Sequence, residues 1–301
     1  MTPREIIAEA WAITMREKSL RQWGFVSSFL ETLFATKLLL YQAWFFVSYL
    51  QGNPIGFFDD VIWLSHNVST GWLISIISVF LALLAVEWIF PNFARGAIIG
   101  LTAKAHNKED VRGGLVLGIY NFFPMLGIHE LFVLAGVANA ITIISLFLRY
   151  IDGDVKFFMI GIVIFFWVLS SILKFLASFA EPAVVVKRVS IFSGLGTSFK
   201  LIISYTSHVM FLWLLLFVIS IRIAFNAILV LLIPIIAVGI GFLFATFLSF
   251  QLAVILGVSV GIILILIASY FFAYLHVFKE AVWTITYCEL KKQKDLLVIE
   301  A

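Results

Sequence analysis

The chain has 301 residues, of which 63% are hydrophobic and only 12% charged, with a formal net charge of +3 and a mean hydropathy of +1.12. Soluble globular domains run to about half apolar and a quarter charged, so this composition excludes a soluble domain and specifies an integral membrane protein. The small net charge gives no basis for nucleic-acid binding, and the single cysteine, Cys288, excludes an intrachain disulfide or a thiolate metal cluster.

Residues 1–22 do not form a signal peptide, because Glu5, Glu9, Arg16, Glu17, Lys18 and Arg21 interrupt any uncharged core. Pro3 suits a first helical turn, and Ile6, Ile7, Ala10, Trp11 and Ile13 to Met15 have rough helical spacing. The segment reads as an interfacial helix on lipid headgroups, or equally as a helix packed on its own protein. The run 25–50 then exceeds the roughly 20 residues that cross a bilayer, with Glu31 and Lys37 inside it. These two lie off the three- or four-residue spacing of helical ion pairs, so each needs a partner on another helix or at the interface. Gly52, Asn53, Pro54, Gly56 and Asp59-Asp60 supply turn chemistry to a connection over 51–69.

Further spans are expected at 71–90, 117–148, 157–179, 201–221 and 252–274, the third with an interfacial lead-in before Pro124. The run 227–250 is long enough to cross but contains Pro234, Gly239 and Gly241, so it is either a broken, re-entrant segment or an extra span. Cations arbitrate, since short cytoplasmic loops collect Lys and Arg. Six spans put 1–22, 92–114, 187–200 and 277–301 on one side with fifteen of the chain's twenty cations, whereas seven would export the last basic group. The expected fold is an all-α polytopic bundle of six transmembrane helices, with an N-terminal helix, amphipathic cytoplasmic elbows and a C-terminal tail over 277–301.

Three elbows share one grammar. In the clearest, an apolar run meets Glu181-Pro182, where proline removes a backbone donor, and Lys187-Arg188 and Gly194 and Gly196 follow before the next run. About 90 residues earlier Glu87 precedes Pro91, then come Arg95, Lys104, Lys108 and Arg112. A weaker copy has Tyr270 to His276 leading into Lys279-Glu280 and Lys291-Lys292. The chain thus reads as three tandem hairpins.

Glu9-Ala10-Trp11, Met15 to Lys18, Trp23-Gly24-Phe25, Glu181-Pro182-Ala183, Ser193-Gly194-Leu195, Ser198-Phe199-Lys200 and Thr286 to Lys291 resemble the six-helix proteins grouped with the glycerophosphodiester phosphodiesterase membrane domain. The similarity covers nearly the whole chain. Glu289-Leu290-Lys291 stands where that family has an Asp-Leu-Arg-like end. Residues 277–301 are too few for the soluble catalytic barrel that follows the membrane domain in some members. The resemblance therefore implies a free-standing membrane domain without phosphodiesterase activity.

Ionisable groups inside a bilayer cost about 3 kcal/mol each on insertion scales and need a partner or a purpose. The interior candidates are His129, Glu130, Lys174, Glu31, Lys37 and His208. Glu130 and Lys174 could form a structural ion pair, line a groove for an anionic headgroup, or belong to a proton or ion path. Glu87 and Glu181, beside Pro91 and Pro182, would hold the elbows by capping or by pairing with nearby cations such as Lys187 and Arg188. His276 and Glu280 are one helical turn apart but are too few for a metal site. No phosphate loop, paired-histidine helix or nucleophile elbow is present, so no cofactor, metal or catalytic residue is expected. Two functions stay open. One is a non-enzymatic protein whose basic elbows hold anionic membrane lipids or a partner, either a second copy or another membrane protein. The other is a small transporter with a polar path near Glu130.

Overall fold

The computed structural model describes the backbone of residues 1–52, 56 and 58–299. Its elements are α1 (Pro3–Arg16), α2 (Lys18–Leu50), α3 (Asp59–Asn67), α4 (Thr70–His106), α5 (Gly114–Leu131), a 3-10 turn (Val133–Ala135), α6 (Val137–Tyr150), α7 (Val155–Leu176), α8 (Ala180–Lys187), α9 (Ile191–Ser204), α10 (Thr206–Ala245) and α11 (Phe250–Ile299). Among the described residues there is no strand. Helices α2, α4, α5, α7 and α11 are long and apolar enough to cross a membrane, and α9 with the first part of α10, bent by 97° at their junction, can supply a sixth span. The protein is an all-α polytopic membrane protein.

Several boundaries differ from the sequence expectation. Helix α4 continues through Pro91, because one proline removes only the hydrogen bond to the Glu87 carbonyl while the flanking turn is held by burial of Asn92, Ala94, Ala97 and Ile98. The third span is not one crossing over 117–148. It breaks after Leu131, where Gly136 caps α6 and Asn139 Nδ2 donates to the Val133 carbonyl at 2.8 Å, while Pro124 lies unbroken inside α5. The fifth expected span, 201–221, is not one straight helix: the chain bends at Tyr205 between α9 and α10, and α10 then runs for 40 residues to Ala245. So the segment 227–250 is not a separate re-entrant element up to residue 245, and the backbone is helical through position 234, whose side chain lies outside the described residues. The expected tail over 277–301 instead continues α11 to Ile299. In the 51–69 connection α3 forms a short helix, whereas the turn residues Asn53 and Pro54 and the side chain of Asp60 lie outside the described residues.

The chain forms two compact units. Unit 1 comprises residues 1–32, 90–129 and 176–301. Its first helix opens with a capping box, Thr2 Oγ1 accepting from the Glu5 N–H at 3.4 Å and the Glu5 carboxylate accepting from the Thr2 N–H at 2.7 Å. Hydrogen bonds from the Thr2 backbone first, and from its side chain second, hold the Glu5 carboxyl below its usual range. Ile6, Ala10 and Ile13 recur at helical spacing and bury against Val277, Ala281, Val282 and Ile285 of α11 and Ile98 and Leu101 of α4. Of the two roles open to the N-terminal helix, its buried face is thus packed on the protein. Trp11 lies edge-on to Phe278 at 5.6 Å.

Unit 1 also contains the Pro182 elbow. Pro182 falls in the first turn of α8, where its missing N–H leaves no intrahelical bond unmade. The break between α7 and α8 is bridged by Ser198, whose hydroxyl donates to the Leu176 carbonyl at 2.8 Å and accepts from the Phe179 N–H at 3.0 Å. Lys187 ends α8, and Arg188 caps it in the left-handed region with φ 53°.

Unit 2 comprises residues 33–89 and 130–175. Its helices turn Trp44, Trp72, Phe80, Phe157, Phe158 and Phe165 outward, as lipid-facing spans do, so much of the aromatic excess is bilayer contact rather than core. Directed polar links join its helices. Gln42 Nε2 donates to Thr142 Oγ1 at 3.2 Å, and Arg149 donates to Tyr41 at 2.7 Å with its guanidinium 4.0 Å from the Phe45 ring centroid.

Gly24 lies where α2 and α11 approach closely in unit 1. A Cβ there would run into Cγ2 of buried Val277 and sit 3.0 Å from the Ala273 carbonyl oxygen. Gly24→Ala is expected to destabilise by about 1–3 kcal/mol, seen as a lower thermal midpoint of the detergent-solubilised protein. Gly196→Ala, whose Cβ meets nothing within 4 Å, should leave the midpoint unchanged or raise it.

Candidate functional site

Buried charge in unit 1 converges on Arg95, the lone cation between Lys37 and Lys104. Its position two turns into the buried half of α4 aims the guanidinium at three other helices. Nη2 donates to Glu31 Oε1 of α2 at 3.2 Å, Nη1 lies 3.6 Å from Glu181 Oε1 of α8, and Nε lies 3.9 Å from Glu280 Oε1 of α11. Each of the three elbows recognised by their shared grammar thus contributes one member: Arg95 after Pro91, Glu181 before Pro182, Glu280 after His276. The planar five-donor guanidinium is the side chain able to face three carboxylates at once.

The network extends along α2 and α11. Ser27, one turn before Glu31, donates to Glu31 Oε1 at 3.2 Å and stands 3.5 Å from His276 Nε2. His276 lies one turn before Glu280, so both face the same side of α11. His129 of α5 is within electrostatic reach of Glu31, and Lys279 within that of His276. Three carboxylates face one guanidinium, with the two imidazoles and the lysine around them.

A second constellation in unit 1 joins α1, α4 and α11. His106 Nδ1 is 2.8 Å from Glu9 Oε1, and its Nε2 is 3.3 Å from Glu289 Oε1. Carboxylates only accept, so this arrangement suits an imidazolium donating from both nitrogens. Glu289 also receives the amino group of Met1 at 3.4 Å and Lys292 at 3.2 Å. Nothing in the sequence distinguished His106, since its two partners are distant along the chain.

In unit 2 the expected interior residues separate. Lys37 Nζ lies 2.7 Å from both carboxylate oxygens of Glu87, and that carboxylate is wholly buried. Glu31 and Lys37 therefore both find their partners on α4, in different units. Glu130 is exposed and accepts from the Trp88 indole at 2.8 Å. Lys174 stands in the last turn of α7, where a cation meets the negative end of the helix dipole. His208 of α10, in unit 1, lines a shallow groove with Pro3, Ser204, Tyr205 and Phe211. Among the described residues no group of three or more His, Cys, Asp or Glu is placed to hold a metal ion.

Removing one partner of a buried ion pair costs about 3–5 kcal/mol, whereas replacing both can be near neutral. Arg95→Gln should therefore destabilise the solubilised protein by about that amount, and Glu280→Gln by clearly less, because two carboxylates still face the arginine. Equal losses for both would show that the guanidinium does not organise the network. For Lys37 and Glu87 a double-mutant cycle is decisive: Lys37→Met should cost about 3 kcal/mol or more, and adding Glu87→Gln should restore much of it. Unfolding midpoints of the four proteins measure the coupling.

No protein-family model, curated protein or solved structure matches this chain. Its own residues identify it as a multi-pass, all-α membrane protein whose three elbows meet at a buried arginine.

Proposed function

We propose that this protein is a non-enzymatic component of the cell membrane, with both termini in the cytoplasm, that binds and organises anionic lipid through the cations of its elbows and ends. The observation that carries this reading is the division of charge between the two units. Unit 1 contains sixteen Lys and Arg against eleven Asp and Glu, and unit 2 contains four against six. All fifteen cations expected on the cytoplasmic side fall within unit 1. Many of them are exposed, among them Arg4, Lys18, Lys108, Arg112, Arg188 and Lys200.

Exposed cations at the membrane surface attract anionic headgroups with about 1 kcal/mol each. Arg112 faces Asp110 at 3.4 Å with both side chains largely exposed, a pair too screened to hold it away from a headgroup. The motifs that resemble the glycerophosphodiester phosphodiesterase membrane domain support grouping the chain with that superfamily. A polar transport path was expected to run past Glu130. Its exposure and its bond to Trp88 favour the lipid-binding reading over the transporter.

The test is thermal unfolding of the detergent-solubilised protein with added phosphatidylglycerol or phosphatidylcholine. Phosphatidylglycerol should raise the midpoint, phosphatidylcholine should not, and molar salt should remove the difference by screening. An equal shift with both lipids would overturn the reading.

A further inference from the structure

One groove in unit 1 combines charge, aromatic hydroxyls and apolar surface at the depth where a lipid changes from headgroup to acyl chain. It lies between the first turns of α2 and the middle of α11 and has a volume of about 650 Å3. Lys18, Arg21 and Gln22 line its polar part, with Tyr270 and Tyr274 opposite. Phe25, Val26 and Ala273 line the rest. Phe25 begins the first apolar run and Tyr274 ends the last, so the groove straddles the polar boundary of two spans at once. Tyrosines at such a boundary sit at headgroup level.

The cations are uncommitted. Glu17, the acid beside them in sequence, is held by Arg16 at 2.7 Å, and neither Lys18 nor Arg21 forms an ion pair among the described residues. Arg21 leans on Tyr274, its guanidinium 5.8 Å from the ring centroid, and the Tyr270 and Tyr274 hydroxyls lie 3.0 Å apart. Two positive groups and a hydroxyl pair, one O–H of which is free to donate outward, therefore meet at one end of an apolar trough.

We propose that this groove is a binding site for an anionic glycerophospholipid, with Lys18 and Arg21 on the phosphate, the free O–H of the tyrosine pair donating to it, and an acyl chain lying along Phe25, Val26 and Ala273. The planar fork of arginine suits bidentate phosphate contact, and lysine adds a point charge. The proposal rests on the lipid-binding reading above and assigns it a place. It implies one saturable site among weaker, diffuse contacts at the other cations.

The experiment is native mass spectrometry of the full chain in detergent with dioleoyl phosphatidylglycerol, dioleoyl phosphatidylcholine and sn-glycerol 1-phosphate as probes. The unaltered chain should retain one phosphatidylglycerol with clear preference over phosphatidylcholine. K18Q/R21Q should weaken that retention about tenfold or more, while K108Q/R112Q, at exposed cations that do not line the groove, should weaken it far less, as the loss of a diffuse contact does. Y270F/Y274F should weaken it to a lesser degree. All variants are checked for an unchanged unfolding midpoint, and R21K, which keeps the charge, should retain more lipid than R21M should R21Q lower the midpoint. Retention that survives K18Q/R21Q but falls in K108Q/R112Q would overturn the groove and leave the general lipid reading standing. No preference for phosphatidylglycerol in the unaltered chain would overturn both. Displacement of the lipid by millimolar sn-glycerol 1-phosphate would make the groove a site for a soluble phosphate ester and overturn the lipid assignment.

Discussion

A guanidinium buried among carboxylates is the constraint on which unit 1 depends. Taking Arg95 out of water is tolerable only if anionic partners surround it, and taking Glu31, Glu181 and Glu280 out of water is tolerable only if a cation faces them. Each group supplies the condition for the others, and each sits on a different helix. A shift of one turn between these helices would part the carboxylates from the guanidinium as well as break the apolar contacts. The apolar seam of α1 against α11 and α4 supplies bulk stabilisation, and the ion network fixes the register in which that seam closes.

The two compact units solve different solvent problems. Unit 2 turns aromatic side chains outward and limits its internal polarity to a few directed links such as Lys37 with Glu87. Unit 1 has sixteen of the twenty Lys and Arg and the imidazoles of His106, His129, His208 and His276. Helices α2 and α4 pass through both, changing character near Thr32 and Phe90. In α4 that change falls beside Pro91, so the proline marks a change of environment without ending the helix.

This division gives the proposed lipid binding a chemical rationale. Cations needed for helix packing, chiefly Arg95, face carboxylates and are largely shielded. Cations at the entrance of α2, in the loop after α4 and at the end of α8 are exposed, and a phosphate diester can approach them. Lys18 and Arg21 stand apart within this second group because tyrosine hydroxyls and an apolar trough lie beside them.

Much was determined by the sequence alone. Hydropathy over windows of about 20 residues is a local sum, so membrane class, helical fold and the approximate positions of α2, α7 and the apolar part of α11 could be read directly. The elbow grammar also singled out Glu87, Pro91, Glu181 and Pro182, and the cost of intramembrane charge marked Glu31 and Lys37 as residues needing partners. Only the tertiary structure decided who those partners are. Glu31 meets Arg95, and Lys37 meets Glu87, because pairing depends on which helices adjoin and how each is rotated, and neither is a local property of the chain. The same holds for the boundaries. Pro91 is carried inside α4 because the residues after it are buried, the third span breaks after Leu131 rather than at Pro124, and the basic end of the chain prolongs α11 because Val277 to Leu290 have a core to join. Hydrophobic burial and charge neutralisation act between segments far apart in sequence, so they override local punctuation wherever the two disagree.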